Sequence, residues 1–399
     1  MRQKARSILV IVFCQVSAMT LWFSASSASA TLAKAGQISA QQAGLLTGSV
    51  QLGFVAGTLV SAWFCLADRF DPRRLFAGCA ITGALLNADL LVTGFNGTTT
   101  IALRFLTGAA LAGVYPVGMK LAASWAERAM GTLIGLLVGA LTLGSAMPHL
   151  FSEIAGLGWH TTIVASSICA ALSGLAILFA QLGPAHRPSP SFMPGEAWRE
   201  LGRRSILLAN AGYVGHMWEL YAMWAWIGTF LGWATEQAKP TTTPSVGLLT
   251  FAVIASGAFG SVTAGFLADR LGRTTITITA MTVSGLCAAT IGLMPSVGMV
   301  ALVTVAIVWG ISIVADSAQF SAAIAELSPP GLVGSLLTIQ TSIGFLLSFF
   351  SIQTMPFMID LLTWRYAFAT LAIGPFFGTV AMWRLRREPD AKLIAGGRL

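Results

Sequence analysis

The chain has 399 residues, 55% hydrophobic and only 10% charged, with a net charge of +8 and a mean hydropathy of +0.77. A soluble domain carries about 25% charged residues; here the deficit runs the whole length, which excludes a water-soluble globular fold and points to a bilayer as the solvent. Five cysteines, Cys14, Cys65, Cys79, Cys169 and Cys287, lie in apolar runs without C-x-x-C spacing, and they imply neither disulfides nor a zinc site.

A membrane-spanning helix needs about 20 apolar residues. Twelve candidates follow one another at 7–30, 43–67, 75–95, 99–122, 130–151, 160–182, 206–232, 246–268, 274–294, 298–323, 332–356 and 365–385. The first sits between "MRQKAR" and "SASSASA", an arrangement like a signal peptide. The rest of the chain is equally apolar, so it reads as an uncleaved first helix. Gln15, Met19, Trp22 and Ser26 share one of its faces, and Gln51 lies in the middle of the second span. The loop "FCLADRFDPRRLF" follows.

Asp89 on the third span and Arg104 on the fourth each lie about two turns from the connection "NGTTT". They are at similar depth and can pair as buried ions. Tyr115 and Lys120 lie further along the fourth span. The fifth contains "GALTLGSAMPHL", and the sixth opens with "GWH". Residues 183–205, rich in Pro and charge, then read as a linker between two six-helix halves, 1–182 and 206–399.

The seventh span contains "GYVGHMWELYAMWAW". At 100° per residue, Tyr213, His216, Glu219, Leu220, Met223 and Trp226 share a face. A charged carboxylate at mid-bilayer costs roughly 2.5–3.5 kcal/mol, so His216 and Glu219 are read as a proton- or cation-coupling pair lining a wet cavity. A structural hydrogen bond to a neighbouring helix is the plainer alternative. After the eighth span comes "GFLADRLGRTTI". The tenth places Ser312, Asp316 and Gln319 on one face, the eleventh carries Gln340, and "TWR" opens the twelfth. Lys120 and Asp316 fall at related positions of the two halves and are expected to pair as a cytoplasmic gate when the cavity opens outward and to part when it opens inward, with Asp316 also a candidate for proton coupling.

The halves repeat. Asp68 recurs as Asp269 and Trp159 as Trp364, at intervals of 201 and 205 residues. Each half has an even number of spans, so the copies share one topology and are related by an axis along the membrane normal. With a cytoplasmic N-terminus, every Lys and Arg except Lys34, Lys239, Arg365, Arg104 and Lys120 falls on the cytoplasmic side. This asymmetry fits the positive-inside rule, accounts for the net charge without nucleic acid, and puts both termini and the linker in the cytoplasm.

Twelve spans, a central linker and these two loops resemble the major facilitator superfamily. Its loop pattern, close to G-x-x-x-D-R-x-G-R-R, is matched in the second copy at Gly265, Asp269, Arg270, Gly272 and Arg273. The first copy keeps Asp68, Arg69, Arg73 and Arg74 but has Phe64 and Asp71 where the family has glycine. "RFLTGAALAG" resembles the family's fourth-helix pattern. The resemblance implies an all-α membrane protein of two pseudo-symmetric six-helix bundles. It also implies a conformational latch at Asp68, Arg69, Arg73, Asp269, Arg270 and Arg273, with interfacial anchoring by these basic residues as the plainer alternative, and for Arg104 an alternative role in binding an anionic solute or relaying a proton response.

No nucleotide-binding, metalloprotease or nucleophile-elbow motif occurs, so neither an enzyme nor a cofactor or metal is expected. The expectation is a monomeric secondary transporter in the inner membrane. It moves a small polar or anionic solute, coupled to protons or another ion, with symport and uptake favoured by likeness to anion-uptake branches. Gln15, Trp22, Arg104, Tyr115, Tyr221, Met223, Gln319 and Gln340 are the expected solute contacts. Export of an amphipathic compound, soft-metal uptake through His216, Met217 and Met223, and a non-transporting receptor or assembly factor are the alternatives.

Overall fold

The computed structural model describes residues 2–34, 36–95, 97–125, 130–154, 158–185, 192–238 and 244–398. Lys239, expected outside, and the middle of the linker, 186–191, lie outside the described residues. The described residues are helical throughout, with no strand among them. Ten runs are long and apolar enough to cross a membrane, and one of these, Val333–Leu385, holds two spans. Arg204–Ala238 completes the twelve; it falls short in apolarity because it carries His216 and Glu219.

The spans are α1 (Arg2–Lys34), α2 (Ala40–Trp63), α3 (Pro72–Thr93), α4 (Thr98–Ala123), α5 (Met130–Ile154) and α6 (Trp159–Phe179) in the first half. The second half has α7 (Arg204–Ala238), α8 (Val246–Leu271), α9 (Arg273–Ser296), α10 (Met299–Leu327), α11 within Val333–Ala367, and α12 (Ile373–Leu385). Local chemistry fixes many ends. Ser39 and Ser245 accept from Gln42 and Leu248 N–H and so cap α2 and α8. Asp71 caps α3 with Pro72 at its first turn. Thr363, at φ 56°, breaks the long apolar run and separates α11 from the last span.

Every major packing pair of the first half recurs in the second: α1 with α5 and α6, α7 with α11 and α12; α2 with α4, α8 with α10; α3 with α6, α9 with α12. Two seams, α5–α8 and α2–α11, join the halves. The α5–α8 seam is tight because it is lined by small residues. A Cβ on Gly135 would lie 2.8 Å from the Ser261 carbonyl, and one on Gly265 would lie 2.8 Å from the Gly131 carbonyl. Ser261 Oγ also donates to the Gly135 carbonyl at 2.8 Å. The α2–α11 seam lacks the equivalent glycine, and its Phe64 is exposed.

Both termini meet the linker at one end of the bundle. Gln181 N–H donates to Ser7 Oγ there. The C-terminal turn, Pro389–Gly397, is tied down by Asp390, which accepts from Arg203 and Ser205, and by Ala395 N–H, which donates to Glu326.

Two spans are broken at matching positions. In α4 the helix opens at 112–114, where Pro116 has no N–H to offer the Ala112 carbonyl. In α10 the hydrogen-bond ladder is interrupted at the single residue Asp316, which stays in the right-handed region at φ −87° and ψ −19°, without a proline or an adjacent glycine. Irregular backbone at membrane depth is tolerated where it is buried in protein or lines a cavity, and these two breaks flank the centre of the molecule.

Candidate functional site

A central chamber of about 80 Å³ lies between the halves, with Tyr115, Tyr213, His216, Tyr221, Trp224 and Phe345 among its walls. It shares Tyr115, Met119, Ser321 and Thr341 with a vestibule of about 390 Å³. The vestibule runs between α2, α4, α10 and α11 to the linker end, where Asp68, Lys120, Phe192 and Ser335 form its rim. The opposite side of the chamber is sealed. Trp22 packs on Phe54, Tyr221 and Phe345 with ring centroids 5.0–5.7 Å apart, and beyond them Ser26 and Thr47 join their hydroxyls at 2.6 Å. Among the described residues the chamber therefore opens toward the linker end.

His216 is 2% exposed and forms part of the wall. Its Nδ1 lies 2.9 Å from Asp316 Oδ1, and its Nε2 lies 2.8 Å from Ser317 Oγ. Asp316 Oδ1 has no aligned hydrogen bond, so the two groups are close without a well-directed bond between them. The break in α10 puts Asp316 and Ser317 on either side of the imidazole. Glu219, one turn further along α7, faces away from the chamber. Its Oε1 accepts from Trp309 Nε1 at 2.7 Å and its Oε2 from Ser284 Oγ at 3.0 Å. The coupling pair expected on one face of α7 is thus divided between two sets of partners.

The cavity face of α7 runs through Tyr213, Met217, Leu220, Tyr221 and Trp224, rotated from the expected one. Met223 is fully buried off that face, and Trp226 donates from Nε1 to the Ile352 carbonyl. Of the expected solute contacts, only Tyr115 and Tyr221 line the chamber. Trp22 belongs to the seal. Gln15 and Gln340 are buried with both amide atoms unbonded, and Gln319 accepts from Arg273 Nη1 at 3.0 Å.

Arg104 corrects two expectations at once. It is fully buried and lines neither cavity, and its donors go to Ser24 Oγ, Asn87 Oδ1 and the carbonyls of Leu21 and Trp22. Asp89 is exposed on the opposite side of α3. The partner is Asn87, two residues earlier, because the helix turn carries Asp89 off the facing surface. Arg104 therefore ties α3 and α4 to α1 without a carboxylate among its bonds.

Lys120 and Asp316, expected to meet only when the cavity opens outward, are apart here. Lys120 Nζ contacts Asp68 and donates to the Ala67 carbonyl, while Asp316 belongs to His216. Arg73 is bound bidentately by Asp71 and donates to the Ala180 carbonyl; Arg69 is exposed. In the second copy Arg270 lies over the Phe266 ring. Arg273 makes a double bond pair with Glu326 at 2.8 and 3.0 Å and lies 3.6 Å from Asp269. Glu326, Trp309, Ser284, Ser317 and Asn87 were not singled out as partners. A lone carboxylate at the end of the tenth span was the one available signal, and it pointed to Glu326. Among the described residues no three His, Cys, Asp or Glu side chains gather to hold a metal ion.

The family profile of the Major Facilitator Superfamily matches residues 11–352 and 220–399. Over 157 residues the chain is 31% identical to the putative uncharacterized transporter YgaY of Escherichia coli, a match covering 37% of each chain. The matched region thus spans 37% of the length of that relative. Among solved structures, the proton:xylose symporter XylE superposes with a TM-score of 0.69 at 13% identity, covering 96% of both chains. The nucleoside transporter NupG superposes with a TM-score of 0.73 at 14% identity, covering 95% of this chain and 99% of that one. At such identities the likeness is one of fold.

Proposed function

The chain belongs to the major facilitator superfamily, and from that premise we propose that it is a proton-coupled secondary transporter of a small polar solute. One observation carries this reading: a chamber at the interruptions of α4 and α10, opening toward the linker end among the described residues, with the His216–Asp316 pair in its wall. Broken helices near mid-membrane, at the interface of repeated halves, are where transporters of this kind hold solute and coupling ion. The Lys and Arg bias assigns the linker end to the cytoplasm, so the conformation is inward-facing. XylE and NupG are named for xylose with protons and for nucleosides, which supports a small polar solute.

His216 and Asp316 then take up and release the coupling proton, with Ser317 as its neighbour on the chamber side. Glu219, held by Trp309 and Ser284, supports α7 against α9 and α10 and is the second coupling candidate. Tyr115 and Tyr221 contact solute. The Lys120–Asp68 pair, with Arg69 and Arg73 beside it, governs the open α2–α11 rim. Asp269, Arg270 and Arg273 govern the closed end of the α5–α8 seam.

The test is reconstitution into proteoliposomes with a pH-sensitive dye inside and a panel of solutes of all charge classes outside. Saturable solute movement accompanied by proton movement is expected. Asp316→Asn is expected to abolish the proton signal. No flux for any solute refutes transport and favours a receptor or assembly factor on this fold. Flux without proton movement refutes the coupling.

A further inference from the structure

The charge around the chamber has one sign. On α10 the group facing His216 is Asp316, with Ser317 beside it. On α7 itself Tyr213 and Glu219 flank it one turn away on either side. On α4 the nearest titratable group is Tyr115, a chamber wall, and on α9 Cys287 lies near Glu219. The chamber residues of α5 and α11, such as Leu141, Thr142 and Phe345, bring no ionisable group.

Among the described residues the chamber walls carry no Lys or Arg. Arg104 is spent on carbonyls of α1, Arg273 on Glu326 and Gln319, and Lys120 contacts Asp68 at the rim. One acidic side chain, Asp316, therefore faces the imidazole at membrane depth, while Glu219, one turn along α7, is turned to Trp309 and Ser284. Such a centre is expensive unless a positive charge joins it, and an anionic solute would add to the imbalance.

The walls supply a second, independent observation. Three of the chain's four tyrosines, Tyr115, Tyr213 and Tyr221, line the chamber with Trp224 and Phe345. Aromatic faces attract a cation, through the ring quadrupole, more strongly once it has lost water. Hydroxyls of Ser317, Ser321 and Thr341 on the same walls can accept from an N–H donor.

We infer that the solute is a cation, an organic amine or ammonium whose charged head occupies the central chamber between these aromatic walls, with Asp316 as its counter-charge. This rests on the transport reading above. It replaces the anionic solute that Arg104 suggested in the sequence, because Arg104 is not in the cavity. Solute and proton then compete for the same carboxylate: protonating the His216–Asp316 pair removes the charge that holds the amine. The two occupy the site in turn, which makes the coupling an exchange.

The experiment uses three probes of one shape, benzylammonium, benzyl alcohol and benzoate, titrated into the purified full-length protein and read by tryptophan fluorescence. Benzylammonium is expected to bind saturably and tightest, with benzoate weakest. Its Kd is expected to rise by at least about tenfold in Asp316→Asn, while that of benzyl alcohol stays unchanged. In the wild type, lowering the pH from about 7.5 to about 5.5 is expected to weaken benzylammonium alone, and His216→Gln is expected to remove that dependence. The wild-type ranking and pH dependence hold even if Asp316→Asn does not fold. Absence of benzylammonium binding overturns the inference, as does benzyl alcohol or benzoate binding as tightly, or a pH-independent Kd. If those results come with proton-linked flux of neutral or anionic solutes in proteoliposomes, the transport reading stands and only the cation fails.

Discussion

Replacing Arg104 by Met separates two accounts of a buried charge. If Arg104 were paired with Asp89, removing either would cost about 3–5 kcal/mol and removing both would be nearly neutral. The structure gives a different ledger. Four hydrogen bonds leave the guanidinium, at 2.7–3.3 Å, to Trp22 and Leu21 carbonyls, Asn87 Oδ1 and Ser24 Oγ. Bonds from a charged donor contribute about 1.5–3 kcal/mol each. Relief from burying the guanidinium, several kcal/mol, offsets much of that. The acceptors are not all orphaned either, since Asn87 Oδ1 and the Leu21 carbonyl also accept from Ser24 Oγ. The net loss for Arg104→Met is expected at roughly 2 kcal/mol. Asp89→Leu, at an exposed position, is expected to stay within about 0.5 kcal/mol. The assay is a double-mutant cycle on detergent-solubilised protein followed by thermal unfolding. Arg104 and Asp89 are expected to be additive within about 0.5 kcal/mol, whereas Arg104 and Asn87 couple by about 0.5–3 kcal/mol. Rescue of Arg104→Met by Asp89→Leu, or additivity with Asn87→Ala, refutes the reasoning.

At the vestibule rim, Asp68→Asn releases Lys120, whose pair is only partly screened from water. Loss of about 1 kcal/mol from the inward-facing state is expected to lower labelling of a cysteine placed at Thr338, and unchanged labelling refutes a role in this conformation. At the α5–α8 seam, Gly135→Val drives a side chain into the Ser261 carbonyl. Overpacking of about 1–3 kcal/mol is expected as a lower Tm, and an unchanged Tm means the seam has room to shift. In the C-terminal turn, the Ser205 hydroxyl and then Arg203 hold the Asp390 carboxyl below its ordinary range. A lowered folded pKa gives stability that is present above the unfolded value, about 3.9, and is lost as pH falls through the folded one. Asp390→Asn is expected to loosen the tail to proteolysis at neutral pH, and the difference from wild type is expected to vanish in acid. A difference that persists at acid pH contradicts the assignment.

Much of the architecture is a local property and could be read from the chain. Apolar length gives the spans, because each helix satisfies its own backbone and meets lipid by itself. Recurrence of Asp68 as Asp269 marks two copies of one unit. That His216, Glu219 and Asp316 sit deep in the fold follows from their being ionisable residues within apolar runs.

Partnership was not legible, because it depends on how far each helix is rotated and at what depth it meets its neighbours. His216 and Glu219 lie one turn apart on one helix, yet the first faces Asp316 and the chamber while the second turns to Trp309 and Ser284. Asp89 and Asn87 are two residues apart on α3, and a rotation of about 200° sends one outward and the other to Arg104. The opening of α10 at Asp316 has neither proline nor neighbouring glycine to announce it. Only tertiary packing, which lays that opening across from the one in α4, decides that the helix breaks there and turns a buried carboxylate toward the imidazole at the chamber wall.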